Sequence, residues 1–178
     1  MLAAANRMRP GRRRLILGAL VASLPWGCGF QLRGRMDLPF ETMYVEGMTY
    51  SAFASQLKRN IAAGGSTRLV DQPADAAAVV YLIGDAQERG ILAVSGAGRV
   101  RELQLRYRVT FRVATAAGRE WLPLNEVLVV RDLTYDDTQI LAKEGEAQML
   151  FRDMQSDAVQ QVLRRIQAIR ASSSGAAS

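Results

Sequence analysis

Residues 101–115, RELQLRYRVTFRVAT, restrict the fold of this chain more than any other stretch. Leu103, Leu105, Tyr107, Val109, Phe111 and Val113 are apolar, and Glu102, Gln104, Arg106, Arg108, Thr110 and Arg112 between them are polar. A period of two places one class on each face of an extended strand, because successive side chains point to opposite sides of a sheet. The stretch therefore predicts an antiparallel strand with one buried and one solvated face. Its flanks continue the sheet. AAGRE (116–120) contains Gly118 and reads as a hairpin loop, after which WLPLNEVLVVRDL (121–133) returns as a strand. Pro123 must lie at the start of that strand or on an edge, since it cannot donate to a ladder. Upstream, residues 77–95 hold the apolar run Val79 to Ile83, which predicts a central strand buried on both faces.

Two segments carry helical periodicity. In YSAFASQLKRNIAAGG (50–65), Phe53, Leu57 and Ile61 recur every four residues, Ser51 suits the N-cap and Gly64 the stop. From Thr138 to Arg170, Ile140, Ala147, Phe151, Met154, Ala158, Val162, Ile166 and Ile169 form one stripe. Leu141, Val159 and Leu163 widen it, as extra core or as a contact face for a partner. Gly145 costs about 1 kcal/mol relative to alanine, so the first turn is expected to fray or kink there. TMYVEG (42–47) and GFQLRGR (29–35) read as short strands, and STRLVDQPAD (66–75) as a very short strand with a turn at Pro73. The sum is an α+β, two-layer sandwich with an about four-stranded, mostly antiparallel sheet packed by two helices.

Charge and composition exclude several functions. The net charge is +6, yet Arg7, Arg9, Arg12, Arg13 and Arg14 precede Leu15 with no carboxylate among them. Without residues 1–27, 18 basic residues face 17 acidic ones, a net of +1. Nucleic acid is therefore not an expected partner, because phosphate binding needs a concentrated positive surface. The absence of histidine removes His-based acid–base catalysis, Ser-His and Cys-His pairs and most zinc sites. No enzyme activity, cofactor or metal is expected. The Gly-x-Gly of SGAGR (95–99) lacks a third glycine and precedes a strand, so it reads as a hairpin tip and not as a dinucleotide loop.

The N-terminus has the layout of a secretory signal, with basic residues 7–14 followed by the 13-residue apolar run LILGALVASLPWG (15–27). That run is shorter than the roughly 20 residues a membrane span takes. The single cysteine, Cys28, stands at the junction after Gly27. It resembles the acylated cysteine of bacterial lipoproteins, although Pro25 and Trp26 stand where leucine and a small residue are usual. A stray thiol after an ordinary signal is the other reading. In such lipoproteins an aspartate after the cysteine favours the inner membrane. Gly29 stands there instead, which points to the outer membrane. The organisation expected is a signal peptide at 1–27, one lipoprotein domain at 28–170 and a disordered tail at 171–178, too small and polar to pack.

Arg99, Arg101, Arg106, Arg108 and Arg112 lie on or just before the alternating strand. They are either a solvated face offset by cross-strand carboxylates or a platform for an anionic ligand such as a phosphorylated lipid. Lys143 lies at the edge of the helical stripe, and Asp136–Asp137 suit a helix N-terminus.

Taken together these residues resemble the LptE family of lipopolysaccharide-assembly lipoproteins, also called rare lipoprotein B. The likeness rests on CGFQLRG at Cys28, on Leu38–Pro39, on Met43–Val45 and on the stretch 127–166. Within the last, LAK (141–143), Glu146, DM (153–154), DA (157–158) and LRRI (163–166) carry it. The resemblance implies a non-enzymatic protein of the outer membrane, anchored through acyl chains on Cys28. It would plug the LptD β-barrel, help that barrel assemble and assist lipopolysaccharide transfer to the outer leaflet. It also implies lipopolysaccharide contact by Lys143. A second basic position of the family falls on Gly96, with Arg99 and Arg101 nearby as candidates. The alternative is an assembly or pilotin-type lipoprotein of another outer-membrane complex.

Overall fold

The computed structural model describes residues 37–47 and 50–175, with side chains as far as Ile169. The expected signal peptide, Cys28 and the strand at 29–35 lie outside the described residues, as do residues 176–178. In chain order the elements are β1 (Thr42–Glu46), α1 (Ala52–Gly64), β2 (Arg68–Leu69), β3 (Ala78–Val94), β4 (Val100–Ala114), β5 (Glu120–Thr134) and α2 (Ile140–Gly175). Short 3-10 turns at Pro73–Asp75 and Asp137–Gln139 precede β3 and α2.

The five strands form one sheet in the order β2-β1-β3-β4-β5. The α+β reading holds, with one strand more than expected and a mixed pattern. β1 pairs in parallel with both β2 and β3, while β3, β4 and β5 form an antiparallel meander. α1 and β2 make the crossover that parallel neighbours require.

The alternation in β4 sets the two faces. Leu105, Tyr107, Val109, Phe111 and Val113 are buried, and Val127, Val129 and Leu133 of β5 continue the same face. Met43 and Val45 of β1 and Val80 and Leu82 of β3 complete it. Both helices lie on this side, inserting Phe53, Leu57 and Ile61 from α1 and Phe151, Met154, Ala158, Val162 and Ile166 from α2. Each large side chain so buried contributes roughly 1.5–3 kcal/mol. Val159 and Leu163 of the widened stripe are fully inside, which assigns them to the core. Ile140 and Leu141 are not: they are 51% and 89% exposed. The stripe meets the sheet only from Ala147 onward. α2 runs unbroken through Gly145 and continues to Gly175, past its expected end near Arg170. No proline or glycine interrupts residues 171–174, and extending a formed helix is easy.

Local chemistry explains the element ends. The Ser51 Oγ accepts from the Ala54 N–H at 2.9 Å, capping α1 as expected. The helix stops at Gly65, whose φ of 75° is left-handed, one residue beyond the predicted Gly64. The run Val79–Ile83 is not buried on both faces throughout. Val79 and Val80 are fully buried, but Ile83 is 56% exposed. A register shift between Leu82 and Gly84 turns Ile83 outward. Pro123 sits on the edge strand β5, beside the irregularity opposite Phe111 to Val113.

The other face of the sheet has no helix against it among the described residues. Arg108 bridges Glu126 at 2.8 Å and Glu88 at 3.4 Å across both neighbouring strands. Those two carboxylates, Glu126 first, raise its pKa further above the usual arginine value. Arg112 lies 3.9 Å from Glu120 and stacks over Tyr81 at 4.0 Å. Arg106 donates to Gln104. This row is thus the charge-balanced solvated face that was one of the two readings of the arginines.

Candidate functional site

The candidate cations gather where β4 begins and α2 begins. Ser95–Arg99 forms the loop between β3 and β4. The Ser95 N–H donates to the Arg99 carbonyl at 2.7 Å, and Gly98 takes a φ of 75°. The loop is therefore a tight turn, as SGAGR suggests, and it presents Arg99 to solvent. β5 returns alongside β4, so the chain leaving β5 passes Arg101. The Tyr135 N–H donates to the Arg101 carbonyl at 2.8 Å. Asp136 then caps the 3-10 turn, its Oδ1 accepting from the Thr138 N–H at 2.9 Å and from the Thr138 hydroxyl at 2.8 Å. α2 follows directly and carries Lys143 in its first turn.

Residues 44 positions apart in sequence are thereby brought to one end of the sheet. Arg99 Nη1 lies 3.9 Å from Asp137 Oδ2. Asp136 feels both other cations. Its carboxyl is held below the ordinary range, first by the Thr138 N–H and then by the Thr138 hydroxyl, against an opposing effect of desolvation, with Arg101 and Lys143 adding weaker attraction. The Lys143 side chain is largely covered, and its ammonium donates to Glu146 at 2.8 Å. Arg99 and Asp137 are mostly solvated, so their pairing is weak and readily exchanged.

The same end is apolar. Ile140 and Leu141 on α2 and Ile91, Leu92 and Val94 on the projecting half of β3 are exposed. Residues Asp137 to Ala142 line a shallow depression of about 340 Å³. Cations on a rigid turn beside exposed aliphatic side chains can engage an amphiphile that carries phosphate and acyl groups. Arg106, Arg108 and Arg112 are not part of this grouping: they lie further along β4 on the uncovered face.

Three polar arrangements escape a reading of the sequence. On the helix side of β3, Asp85 accepts from the Ser51 hydroxyl at 2.9 Å, tying the α1 cap to the sheet. Burial, then the charge and hydrogen bonding of Asp85, push the Tyr107 phenol well above its ordinary pKa. Arg89 grips Glu144 of α2 through both carboxylate oxygens, at 2.7 and 2.9 Å, and lies over the Phe151 ring. Arg131 reaches Asp157 at 2.7 Å. Their only trace in the sequence is an acidic or basic residue in phase with a buried face.

The LptE family, described as lipopolysaccharide-assembly, matches residues 40–166. The chain belongs to the LptE family. A relative named LPS-assembly lipoprotein LptE from Yersinia pestis (strain Pestoides F) is 28% identical over 160 residues, spanning 88% of this chain and 76% of its own length. The solution NMR structure of lipoprotein B from Nitrosomonas europaea is 37% identical, with a TM-score of 0.71 over 81% of this chain and 94% of that one. The crystal structure of rare lipoprotein B from Shewanella oneidensis is 25% identical, with a TM-score of 0.65 over 74% of this chain and 97% of that one. Membership makes this LptE-family protein a component of lipopolysaccharide assembly in the cell envelope, and not an enzyme. Among the described residues no helix is long and apolar enough to cross a membrane.

Proposed function

We propose that this protein is an outer-membrane lipoprotein, acylated at Cys28, that plugs and helps assemble the LptD β-barrel and assists lipopolysaccharide transfer to the outer leaflet. Lys143, Arg99 and Arg101 contact the phosphorylated headgroup, and Ile140 and Leu141 beside them contact its apolar part. The observation that carries this reading is the convergence of Arg99, Arg101 and the first turn of α2 on one exposed, partly apolar end. The family match supports the pathway. The charge-balanced outer sheet face supports a seat in a polar barrel lumen, where a plug need not present a strongly apolar exterior. Several acyl chains on Cys28 would hold the chain stably, since each buried CH₂ is worth roughly 0.8 kcal/mol and one chain alone holds only marginally.

The test is a pull-down from solubilised outer membranes with a tag placed after Ser178. Stoichiometric recovery of one large β-barrel of the lipopolysaccharide export pathway is expected. Recovery of a different complex, or of the lipoprotein alone, overturns the plug reading. Cys28→Ala is expected to abolish acylation, read by mass spectrometry of the membrane fraction.

A further inference from the structure

The basic end contains its own anions. Asp137 lies 3.9 Å from Arg99, and Asp136 stands within the attraction of Arg101 and Lys143. Both carboxylates ride on a backbone fixed at several points. The Tyr135 N–H is bound to the Arg101 carbonyl at 2.8 Å, and the Gln139 N–H to the Asp136 carbonyl at 3.1 Å. The Asp136 side chain is further held by Thr138. Aspartate is short, so these charges cannot swing clear of the cations as a glutamate on a long stem could. Lys143 has a separate acidic partner in Glu146, also on α2.

We propose that Asp136 and Asp137 are resident counter-anions of the lipopolysaccharide-contact site, compensating its cations when it is empty and opposing the phosphate groups of a bound ligand, so that affinity is limited and release is fast. The inference rests on the reading of Arg99, Arg101 and Lys143 given above. Its physical basis is simple competition. A phosphate approaching Arg99 must displace or share it with Asp137, and one approaching Arg101 or Lys143 does so against the field of Asp136. Uncompensated cations on a rigid turn would hold a multiply phosphorylated amphiphile tightly, and most differences in affinity at one interface appear as dissociation rates. A protein that hands its ligand onward needs that rate to be high. The plain alternative is that the two carboxylates serve only the start of α2, through capping and the macrodipole.

Asparagine separates the two roles, because it caps a helix as well as aspartate and carries no charge. The experiment measures binding and dissociation of purified lipopolysaccharide by the full chain at low and high salt, with dephosphorylated lipopolysaccharide as the reference. The variants are Asp136→Asn, Asp137→Asn, their combination, Asp137→Glu, and a combined Arg99→Glu, Arg101→Glu, Lys143→Glu. Circular dichroism checks that each is folded. Each asparagine is expected to tighten binding about two- to five-fold, the range of a surface ion pair. The gain should appear mainly as slower dissociation, shrink at high salt and be absent for dephosphorylated ligand. Asp137→Glu, which keeps the charge but places it on a longer stem, should fall between wild type and Asp137→Asn. If the triple reversal abolishes binding while the asparagine variants bind as wild type or more weakly, the counter-anion role is overturned and the site stands. If the triple reversal leaves binding unchanged, the site itself is wrong and the counter-anion role falls with it.

Discussion

β4 ends in the same loop twice. Ser95-Gly-Ala-Gly-Arg99 joins it to β3, and Thr115-Ala-Ala-Gly-Arg119 joins it to β5. The hydrogen bonds repeat: Ser95 N–H to Arg99 carbonyl at 2.7 Å and Thr115 N–H to Arg119 carbonyl at 2.8 Å, with Gly98 and Gly118 N–H to the first loop carbonyl at 2.9 Å. The hydroxyl of Ser95 or Thr115 accepts from the arginine N–H in each, and the glycines take φ of 75° and 90°. Beyond the loops the likeness stops. Arg119 lies over the Trp121 ring at 4.8 Å, Trp121 packs 5.5 Å from Phe40, and Val113 and Ala114 alongside are fully buried. Arg99 faces Asp137, and Ile91, Leu92 and Val94 near it are exposed. A five-residue loop thus determines its own hydrogen bonds but not its use. The layer beside it decides whether its arginine finishes a core or offers a charge.

The largest effect should come from removing that layer at the covered end. Phe40→Ala is expected to cost about 3 kcal/mol in urea unfolding, as core aromatic truncations do, while Leu92→Ala at the open end should stay within about 1 kcal/mol. Equal losses would erase the distinction between the ends. Next come the glycines. Gly98→Ala and Gly118→Ala should each cost about 1–2 kcal/mol, since both force a side chain into the left-handed region with open space around it. A large inequality would show that the loops are not equivalent.

Smaller effects sharpen the contrast. Arg119→Ala should lose about 0.5–1 kcal/mol through its stacking on Trp121, and Arg99→Ala almost nothing. Acid should act at the open end through Asp136. The Asp136 carboxyl is held below its unfolded value, so its contribution is present above about pH 4 and lost as pH falls through its folded pKa. Asp136→Asn should flatten that part of the stability profile. A profile identical to wild type would remove Asp136 from the account.

Much of this was readable from residues alone, for reasons that can be named. The alternation in β4 defined a face, and that face proved to be the core. The stripe from Ala147 to Ile169 was right because those positions meet the sheet. It failed at Ile140 and Leu141 because periodicity cannot tell where the sheet ends. Ile83 was misplaced by a bulge that leaves no mark on an apolar run other than the glycine after it. The parallel pairing of β1 was hidden because β2 is two residues long. The likeness to LptE carried further than any motif, since it drew on order and spacing over most of the chain. Lys143 was nominated separately from Arg99 and Arg101. What drew them together was the β4–β5 return and the Tyr135–Arg101 bond, and their interplay with Asp136 and Asp137 depends on that turn.

The most direct measurement is lipopolysaccharide binding by two matched variants, Arg99→Glu and Arg119→Glu. They make the same substitution at the same place in the same loop. The account predicts that Arg99→Glu weakens binding several-fold and that Arg119→Glu leaves it unchanged with a small loss of stability. Equal weakening by both, or none by either, would contradict the assignment of ligand contact to the open end of the sheet.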